Sequence, residues 1–387
     1  MKILLGLSGG VDSAVAAYLL KAQGHQVECA FMRNWDSVTN NDILGNPTLD
    51  QAVCTQESDY ADALAVANKL GLPLHRADFI TEYWDEVFTT FLRDYEKGRT
   101  PNPDILCNKH IKFKHFFEFA DRHGFDMVAT GHYAQVIHHA ETSEMLKADD
   151  TNKDQTYFLA QVPPQALRRT LFPLGDIPKP QVRQIAAELG LSVATKKDST
   201  GICFIGERDF QAFLANYLPA KDGPIVDLET LKPLGTHHGI LYYTLGQRKG
   251  LDIHAHQGPW FVAGKDLTTN TLYVVKGENN PWLYGDSAIV TDLNWFNPLD
   301  LSSPKPVGAK FRYRQPDQPV SIQALDDQRL LVRFDRPISA VTPGQEAVFY
   351  DGKVCLGGGT IDDVLVEGLS LQERIRAHVR TLQSTHR

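Results

Sequence analysis

The chain has 387 residues, 42% apolar and 22% charged, proportions that exclude collagenous, coiled-coil and wholly disordered proteins. At roughly 100 to 200 residues per domain, this length predicts two or three domains. With 39 Lys and Arg against 47 Asp and Glu, the net charge is -8, so a nucleic-acid partner must meet a local patch, not an overall basic excess.

In chain order, Lys2 to Leu7 reads as a buried strand, and Val11, Ala14, Val15, Tyr18 and Leu19 mark a helical face ended by Gly24. A second strand is expected at Gln26 to Met32, then a helix with Leu64, Ala67 and Leu70, then a strand at Leu72 to Asp78; the βαβ rhythm implies a parallel sheet. Trp84, Val87, Phe88, Phe91, Leu92 and Tyr95 have the spacing of an amphipathic helix stopped by Gly98. A loop from Arg99 to Asp104 starts another helix, with Asp104 as its N-cap, and a strand at Met127 to Thr130 and a helix at 180–189 continue the α/β pattern. Glu207 to Tyr217 reads as helix, and Leu241 to Tyr243, Trp260 to Val262 and Leu272 to Val275 as strands. From about residue 283, alternation in Val320 to Ala324, Leu330 to Phe334 and Ala347 to Tyr350 predicts an antiparallel module, a small barrel; the tail past about 370 is left between short helix and disorder. The expected domains are 1–206, 207–282 and 283–387.

No run approaches the roughly 18 apolar residues of a membrane span, and the opening residues reach Gly and Ser too soon for a signal peptide, so the expected location is the cytoplasm, with no membrane partner. The five cysteines, Cys29, Cys54, Cys107, Cys203 and Cys355, are odd in number and form no C-x-x-C pair, which argues against structural zinc or a disulfide framework. The histidines, including His132, His237, His238 and the pair His254 and His256, match no ligand set, and no resident metal is expected.

Ser8-Gly9-Gly10-Val11-Asp12-Ser13 falls between the first strand and first helix, where backbone amides and the helix dipole hold anions. Its glycines leave room for phosphate, its serines donate, and Asp12 can hold Mg²⁺ against pyrophosphate. It has neither the G-K-[ST] of a Walker loop nor G-x-G-x-x-G spacing, and it resembles the pyrophosphate loop of ATP pyrophosphatases. Cys107 is expected in the first turn of its helix with Lys109 and His110 beside it, a setting that lowers a thiol pKa, and Cys203 follows Lys196 and Lys197 in a stretch flanked by Gly201 and Gly206. Taken singly, either cysteine is more readily a small buried residue than a reactive one.

Together these segments resemble the tRNA-specific 2-thiouridylase family. The match includes P-N-P-D-I-L-C-N around Cys107, T-G-H-Y-A from Thr130, K-D-Q-T-Y-F from Lys153, S-T-G-I-C-F-I-G around Cys203, Y-Y-T-L-G-Q-R-K-G-L from Tyr242, Phe311 to Arg314, Thr342 to Gln345 and Cys355 to Gly359. The resemblance implies an adenine nucleotide α-hydrolase-like parallel-sheet domain, a small mixed α/β domain and a C-terminal antiparallel β-barrel. It gives ATP to Gly6, Leu7, Ser8, Gly9, Gly10, Val11, Asp12, Ser13, Met32 and Gly131, with Mg²⁺ accompanying the nucleotide. It makes Cys107 a nucleophile and Cys203 a persulfide carrier, with Asp12 also in the catalytic set. It assigns Asn102, Pro103 and Asp104 to the target base, and Lys153, Asp154, Gln155, Tyr313 and Arg314 to tRNA.

The implied activity is replacement of the 2-oxygen of the wobble uridine in the tRNA anticodon loop by sulfur, loaded by a cysteine desulfurase or relay protein; a monomer is the default. Local charge suits an RNA backbone: Arg93 to His115 carries six Lys or Arg against three acids, and Tyr313 lies between Arg312 and Arg314. A rival, a pyrophosphate-loop ligase adenylating a small molecule for amination, needs neither cysteine. A second, an RNA-binding or sulfur-relay protein, leaves the loop with a structural role only.

Overall fold

The computed structural model describes residues 1–42, 55–198, 210–253 and 258–385. In chain order the first part supplies β1 (Lys2–Gly6), β2 (Gln26–Arg33), β3 (Leu74–Asp78), β4 (Met127–Ala129), β5 (Ala134–His138), β6 (Ser143–Lys147) and β7 (Thr170–Leu171). Five of these form a parallel sheet in the order β3-β2-β1-β4-β7. Ile3, Leu4 and Leu5 are buried on both faces of the sheet, which is why β1 reads as an unbroken apolar run. Strand order reverses between β1 and β4, and ligands of open α/β sheets bind in the crevice at the carboxyl ends of such strands. The two segments at that crevice are Leu7 to Ser13 after β1 and Thr130 to Tyr133 after β4.

The helix Val11–Ala22 follows β1, and Thr55–Leu70 precedes β3. The helix expected over Trp84 to Tyr95 starts earlier and contains a π segment: Ile80–Glu82, Tyr83–Phe88 and Thr89–Glu96 run end to end, burying Tyr83, Val87, Phe88, Phe91 and Tyr95. A second composite helix runs through Pro103–Cys107, a π segment Asn108–His115 and Phe116–Arg122.

The middle part contains β8 (Asp222–Asp227), β9 (Pro233–His238), β10 (Trp260–Asp266) and β11 (Thr271–Lys276), ordered β10-β11-β8-β9. The strand expected at Leu241 to Tyr243 is instead a 3₁₀ turn, Ile240–Tyr242. Gly239 at φ +111 turns the chain there, and Tyr242 donates its hydroxyl to the Leu218 carbonyl at 2.6 Å. A three-residue apolar run does not distinguish strand from buried turn, and β8 and β9 carry too many Gly, Pro and His residues to show period-two alternation. The helix expected over Glu207 to Tyr217 is observed as Phe210–Leu214; Glu207 to Asp209 lie outside the described residues.

The C-terminal part builds β12 (Tyr284–Trp295), β13 (Lys305–Lys310), β14 (Gln318–Ala324), β15 (Leu330–Ser339), β16 (Glu346–Asp351) and β17 (Val354–Val366). Antiparallel pairing runs β12-β15-β14-β13-β16-β17 and closes β17 on β12, giving a six-stranded barrel around Val320, Ile322, Leu330, Val332, Ala347 and Phe349. The short β18 (Leu369–Ser370) pairs with β17, and the tail forms a helix, Leu371–Thr385, whose Ile375 Cδ1 lies 2.2 Å from where a Cβ on Gly264 of β10 would stand. The β5–β6 hairpin does not join the parallel sheet. Leu146 and Met145 pair with Val354 and Cys355, so the first part of the chain extends the barrel's sheet. Among the described residues no helix is long and apolar enough to cross a membrane.

Candidate active site

The loop after β1 is shaped by the fold at two glycines and left open at a third. Gly9 has φ +75, and a Cβ there would stand 2.2 Å from the Asp59 carbonyl oxygen. A Cβ on Gly131 would meet Ser13 N at 2.8 Å, so this residue lets the turn after β4 press on the loop backbone. Gly10, the N-cap of Val11–Ala22, would meet nothing nearer than Ser8 Oγ at 3.4 Å. Ser13 Oγ closes the loop, accepting from Ser8 N at 3.1 Å and donating to the Gly10 carbonyl at 3.2 Å. The helix's first amides point into the crevice without intrahelical acceptors. Met32 Cε stands 3.0 Å from a Cβ position on Gly6, which places Gly6 and Met32 together beside the loop.

Asp12 is the loop's electrostatic centre. Lys179 Nζ donates to both of its oxygens, at 2.6 and 2.7 Å, and the Tyr133 hydroxyl donates to Oδ1 at 2.8 Å. Burial and the Asp12 carboxylate hold the Tyr133 phenol well above its ordinary value, so it remains a donor. Lys179 also reaches Asp198 Oδ1 at 2.8 Å, where Lys153 at 2.6 Å and Arg183 at 2.8 Å converge on the same carboxylate. Burial works against the charged form of Asp198, but Lys153 and Lys179 prevail and hold it down to about 2. Lys196 Nζ donates to the Gly9 carbonyl at 3.1 Å and pairs with Asp59 and Asp62 at 2.8 and 2.6 Å. Sequence reading missed Lys179, Arg183 and Asp198, because no local pattern links residues so far from the loop.

The N-cap of the Cys107 helix is Asn102, not Asp104. Its side chain accepts from Asp104 N at 3.1 Å and Ile105 N at 3.4 Å, with Pro103 at N1. Cys107 therefore lies past the first turn, at 1% exposure, in a cluster with Ile105, Phe91, Tyr95, Phe213 and Leu214. Asn102→Ala is expected to lower stability by about 1 kcal/mol in chemical denaturation. Next to Cys107, Asn108 Nδ2 donates to the Phe158 carbonyl at 2.8 Å, while its buried Oδ1 has no hydrogen-bond partner among the described residues. Burial raises the Asp104 carboxyl above its usual range, with Lys112 pulling the other way. Burial pushes the thiols of Cys29 and Cys355 up to about 12, so both stay protonated at neutral pH.

All three parts of the chain clamp the loop Arg99 to Asp104. Lys265 Nζ donates to the Gly98 carbonyl at 2.9 Å, and Thr100 N donates to the Pro343 carbonyl at 2.9 Å. Gln345 Nε2 donates to the Thr100 carbonyl at 2.7 Å, and Arg99 pairs with Asp362. Asp154 is buried, accepting from Thr156 Oγ1 at 3.0 Å and Ala148 N at 3.2 Å, and Gln155 accepts from Tyr133 N at 2.9 Å. Tyr313 packs on Phe158 with ring centres 4.5 Å apart, and exposed Arg314 lies over Tyr313. Cys54, Cys203, His254 and His256 lie outside the described residues. The residues flanking the Cys203 stretch are described: Asp198 belongs to the loop network, and Phe210 packs on Phe91 and Tyr95 in the cluster that contains Cys107. Among the described residues no three His, Cys, Asp or Glu gather as a metal site.

Behind the Cys107 helix, Lys109 Nζ donates to Gln161 Oε1 at 3.1 Å, and Gln161 Nε2 donates to Glu346 Oε1 of β16 at 2.5 Å. Burial lifts the Glu346 carboxyl from 4.5 to about 7, although Gln161 and Lys109 favour its charged form. The folded chain therefore binds this proton more tightly than the unfolded chain, so the contribution is present below about 4.5 and is lost as pH rises through about 7. The loss amounts to about 3 kcal/mol. Glu346→Gln is expected to remove that decline in denaturation curves measured between pH 4.5 and 7.5.

Family profiles match all three parts: "tRNA methyl transferase HUP domain" over residues 1–207, "tRNA methyl transferase PRC-barrel domain" over 211–276 and "Aminomethyltransferase beta-barrel domain" over 286–361. The chain is similar to the protein named tRNA-specific 2-thiouridylase MnmA from Mycoplasma capricolum, 53% identical over 373 residues that cover 94% of this chain and 99% of that one. The like-named proteins of Mesoplasma florum, at 54% over 370 residues, and Staphylococcus carnosus, at 52% over 369, cover 94% and 95% of this chain and 99% and 96% of their own lengths. By sequence over nearly its full length, and with the pyrophosphate loop and barrel in place, the chain belongs to the tRNA-specific 2-thiouridylase family.

Proposed function

We propose that the chain is a tRNA-uridine 2-sulfurtransferase that activates the wobble uridine with ATP and replaces its 2-oxygen with sulfur carried on Cys203. One observation carries the reading: the two ends of the Cys203 stretch are fixed, one in the pyrophosphate-loop network and the other in the cluster that holds Cys107. In this reading the Cys203 thiol serves both the nucleotide and the second cysteine.

A uridine carbonyl oxygen is a poor leaving group. Its oxygen first attacks the α-phosphate of ATP, forming an O–P bond as the bond to pyrophosphate breaks, and C2 becomes electrophilic. Gly6 to Ser13, Met32 and Gly131 hold the nucleotide, with loop amides on the phosphates. Asp12 would hold the Mg²⁺ that enters with ATP, which would lower the charge on the departing pyrophosphate. Asn102, Pro103 and Asp104 face the base, with burial raising the Asp104 carboxyl above its usual range.

Sulfur then displaces AMP by one of two routes. In one, the terminal persulfide sulfur on Cys203 attacks C2, and the Cys107 thiolate cleaves the resulting disulfide link. In the other, Cys107 attacks Cys203 first and releases hydrosulfide, which attacks C2. Both end with a Cys107–Cys203 disulfide, which takes two electrons from a dithiol donor before the next turnover. Lys153, Gln155, Tyr313 and Arg314 supply tRNA contacts, a stacking face among them, with Asp154 fixing the turn from within; 207–282 and 283–387 support the tRNA body.

The test incubates the protein with unmodified tRNA, Mg-ATP, cysteine and a cysteine desulfurase, with 2-thiouridine measured by mass spectrometry beside Cys203→Ser. Thiolation by the unmutated chain alone is expected. Absence of 2-thiouridine, with AMP released when small amines or carboxylates are supplied, would replace this reading with the ligase.

A further inference from the structure

Three cations and one carboxylate meet at the mouth of the pyrophosphate loop in an arrangement the reading above leaves unexplained. Lys179 and Arg183 lie four residues apart on the helix Lys179–Glu188, so both project from one face, and both donate to Asp198 Oδ1 at 2.8 Å. Lys153 reaches the other oxygen, Oδ2, at 2.6 Å. The same Lys179 ammonium contacts both Asp12 oxygens, so the Asp198 carboxylate stands one ammonium away from the loop itself. Arg183 is aimed by the fold: its Nη1 donates to the carbonyls of Ala194 and Lys196 at 2.9 and 3.0 Å, which leaves Nη2 for the anion.

The Asp198 side chain is 29% exposed, so the core does not demand its charge. Lys179, at 9% exposure, is buried with its charge directed at the two carboxylates. A guanidinium and an ammonium converging on oxygens beside a helix N-terminus is the donor set that recognises phosphate.

We propose that Lys179 and Arg183 bind the β- and γ-phosphates of ATP, and that Asp198 is an internal anion occupying their place until the nucleotide displaces it. The proposal rests on the ATP reading above and extends it to residues outside the loop. Phosphate oxygens take over the bonds to Lys179 and Arg183, and the Asp198 carboxylate gives up its place to them. Lys153, held by the same carboxylate, is released from it in the same step. Self-competition by Asp198 lowers affinity for free pyrophosphate, which helps the product to leave after adenylation.

The experiment titrates the full chain with inorganic pyrophosphate and, separately, with AMP and with ATP, by calorimetry. Asp198→Asn is expected to tighten pyrophosphate about tenfold, and Arg183→Met to weaken it about tenfold, as for one charged hydrogen-bonding partner removed, while AMP affinity stays the same in both. A structural role for Asp198 would move the two ligands together or weaken pyrophosphate in Asp198→Asn, and either result overturns the proposal. The neutral, isosteric Asp198→Asn change at a part-exposed site keeps the test valid even if Arg183→Met folds poorly. Pyrophosphate binding that follows this pattern in a chain that binds no ATP would sustain the anion site and remove the nucleotide reading. ATP binding indifferent to both substitutions would do the reverse.

Discussion

Gly10→Ala is expected to fold as the unmutated chain does and to lose at least about 100-fold in ATP-dependent AMP formation. The added Cβ meets only Ser8 Oγ at 3.4 Å, an ordinary contact, and Gly10 has a negative φ of -102 that alanine adopts freely. The stability change should therefore stay within about 1 kcal/mol. The cost falls on the ligand, because the methyl group occupies the space through which a phosphate reaches the first helical amides. Gly9→Ala and Gly131→Ala make the contrast. Each puts a Cβ against main-chain atoms, the Asp59 carbonyl at 2.2 Å and Ser13 N at 2.8 Å, which cannot swing aside as a side chain can. These two variants should lose stability by about 1 to 3 kcal/mol together with activity. Thermal unfolding beside an AMP assay separates the cases. If Gly10→Ala turns over ATP normally, the loop does not cradle phosphate.

The same distinction explains what the sequence could reveal. Short-range signals were legible: the apolar run of Ile3 to Leu5, the S-G-G-x-D-S turn and the alternation of β14 each follow from neighbours a few residues apart. The Cys107 helix was legible as a helix, but its start was misplaced by two residues. Asn and Asp both cap well, and only the observed acceptor, Asn102 Oδ1 on Asp104 N, decides between them. Lys179, Arg183 and Asp198 left no trace, since they are ordinary surface residues in a one-dimensional reading and become a site only when helix Lys179–Glu188 lies against the loop. The β5–β6 hairpin eluded the reading for a related reason. Its partner strand β17 begins at Val354, some 200 residues away, and nothing in Ala134 to Lys147 indicates which sheet it joins.

Cys107→Ser is expected to reduce 2-thiouridine formation by at least about 1,000-fold while AMP is still released from ATP in the presence of tRNA. Adenylation uses the loop and the base carbonyl and makes no demand on this thiol, so AMP release also reports that the variant is folded. The variant then separates the two sulfur routes. If the persulfide sulfur attacks C2 directly, the serine chain stalls with tRNA joined to Cys203 through a disulfide link, a protein–RNA adduct that thiol reductants release as 2-thiouridine. If hydrosulfide is the nucleophile, no adduct forms and the persulfide stays intact on Cys203, because nothing attacks it. The activated uridine then returns to uridine by hydrolysis, giving AMP without modification. Burial of Cys107 at 1% exposure bears on the timing. A nucleophile packed among Ile105, Phe91 and Phe213 does not meet exogenous alkylating agents, so labelling of Cys107 should be slow in the free chain. In the proposed reaction the persulfide on Cys203 must therefore reach Cys107 at this buried position. Full 2-thiouridine yield from Cys107→Ser would remove Cys107 from the reaction and leave Cys203 as the sole sulfur chemistry of the chain.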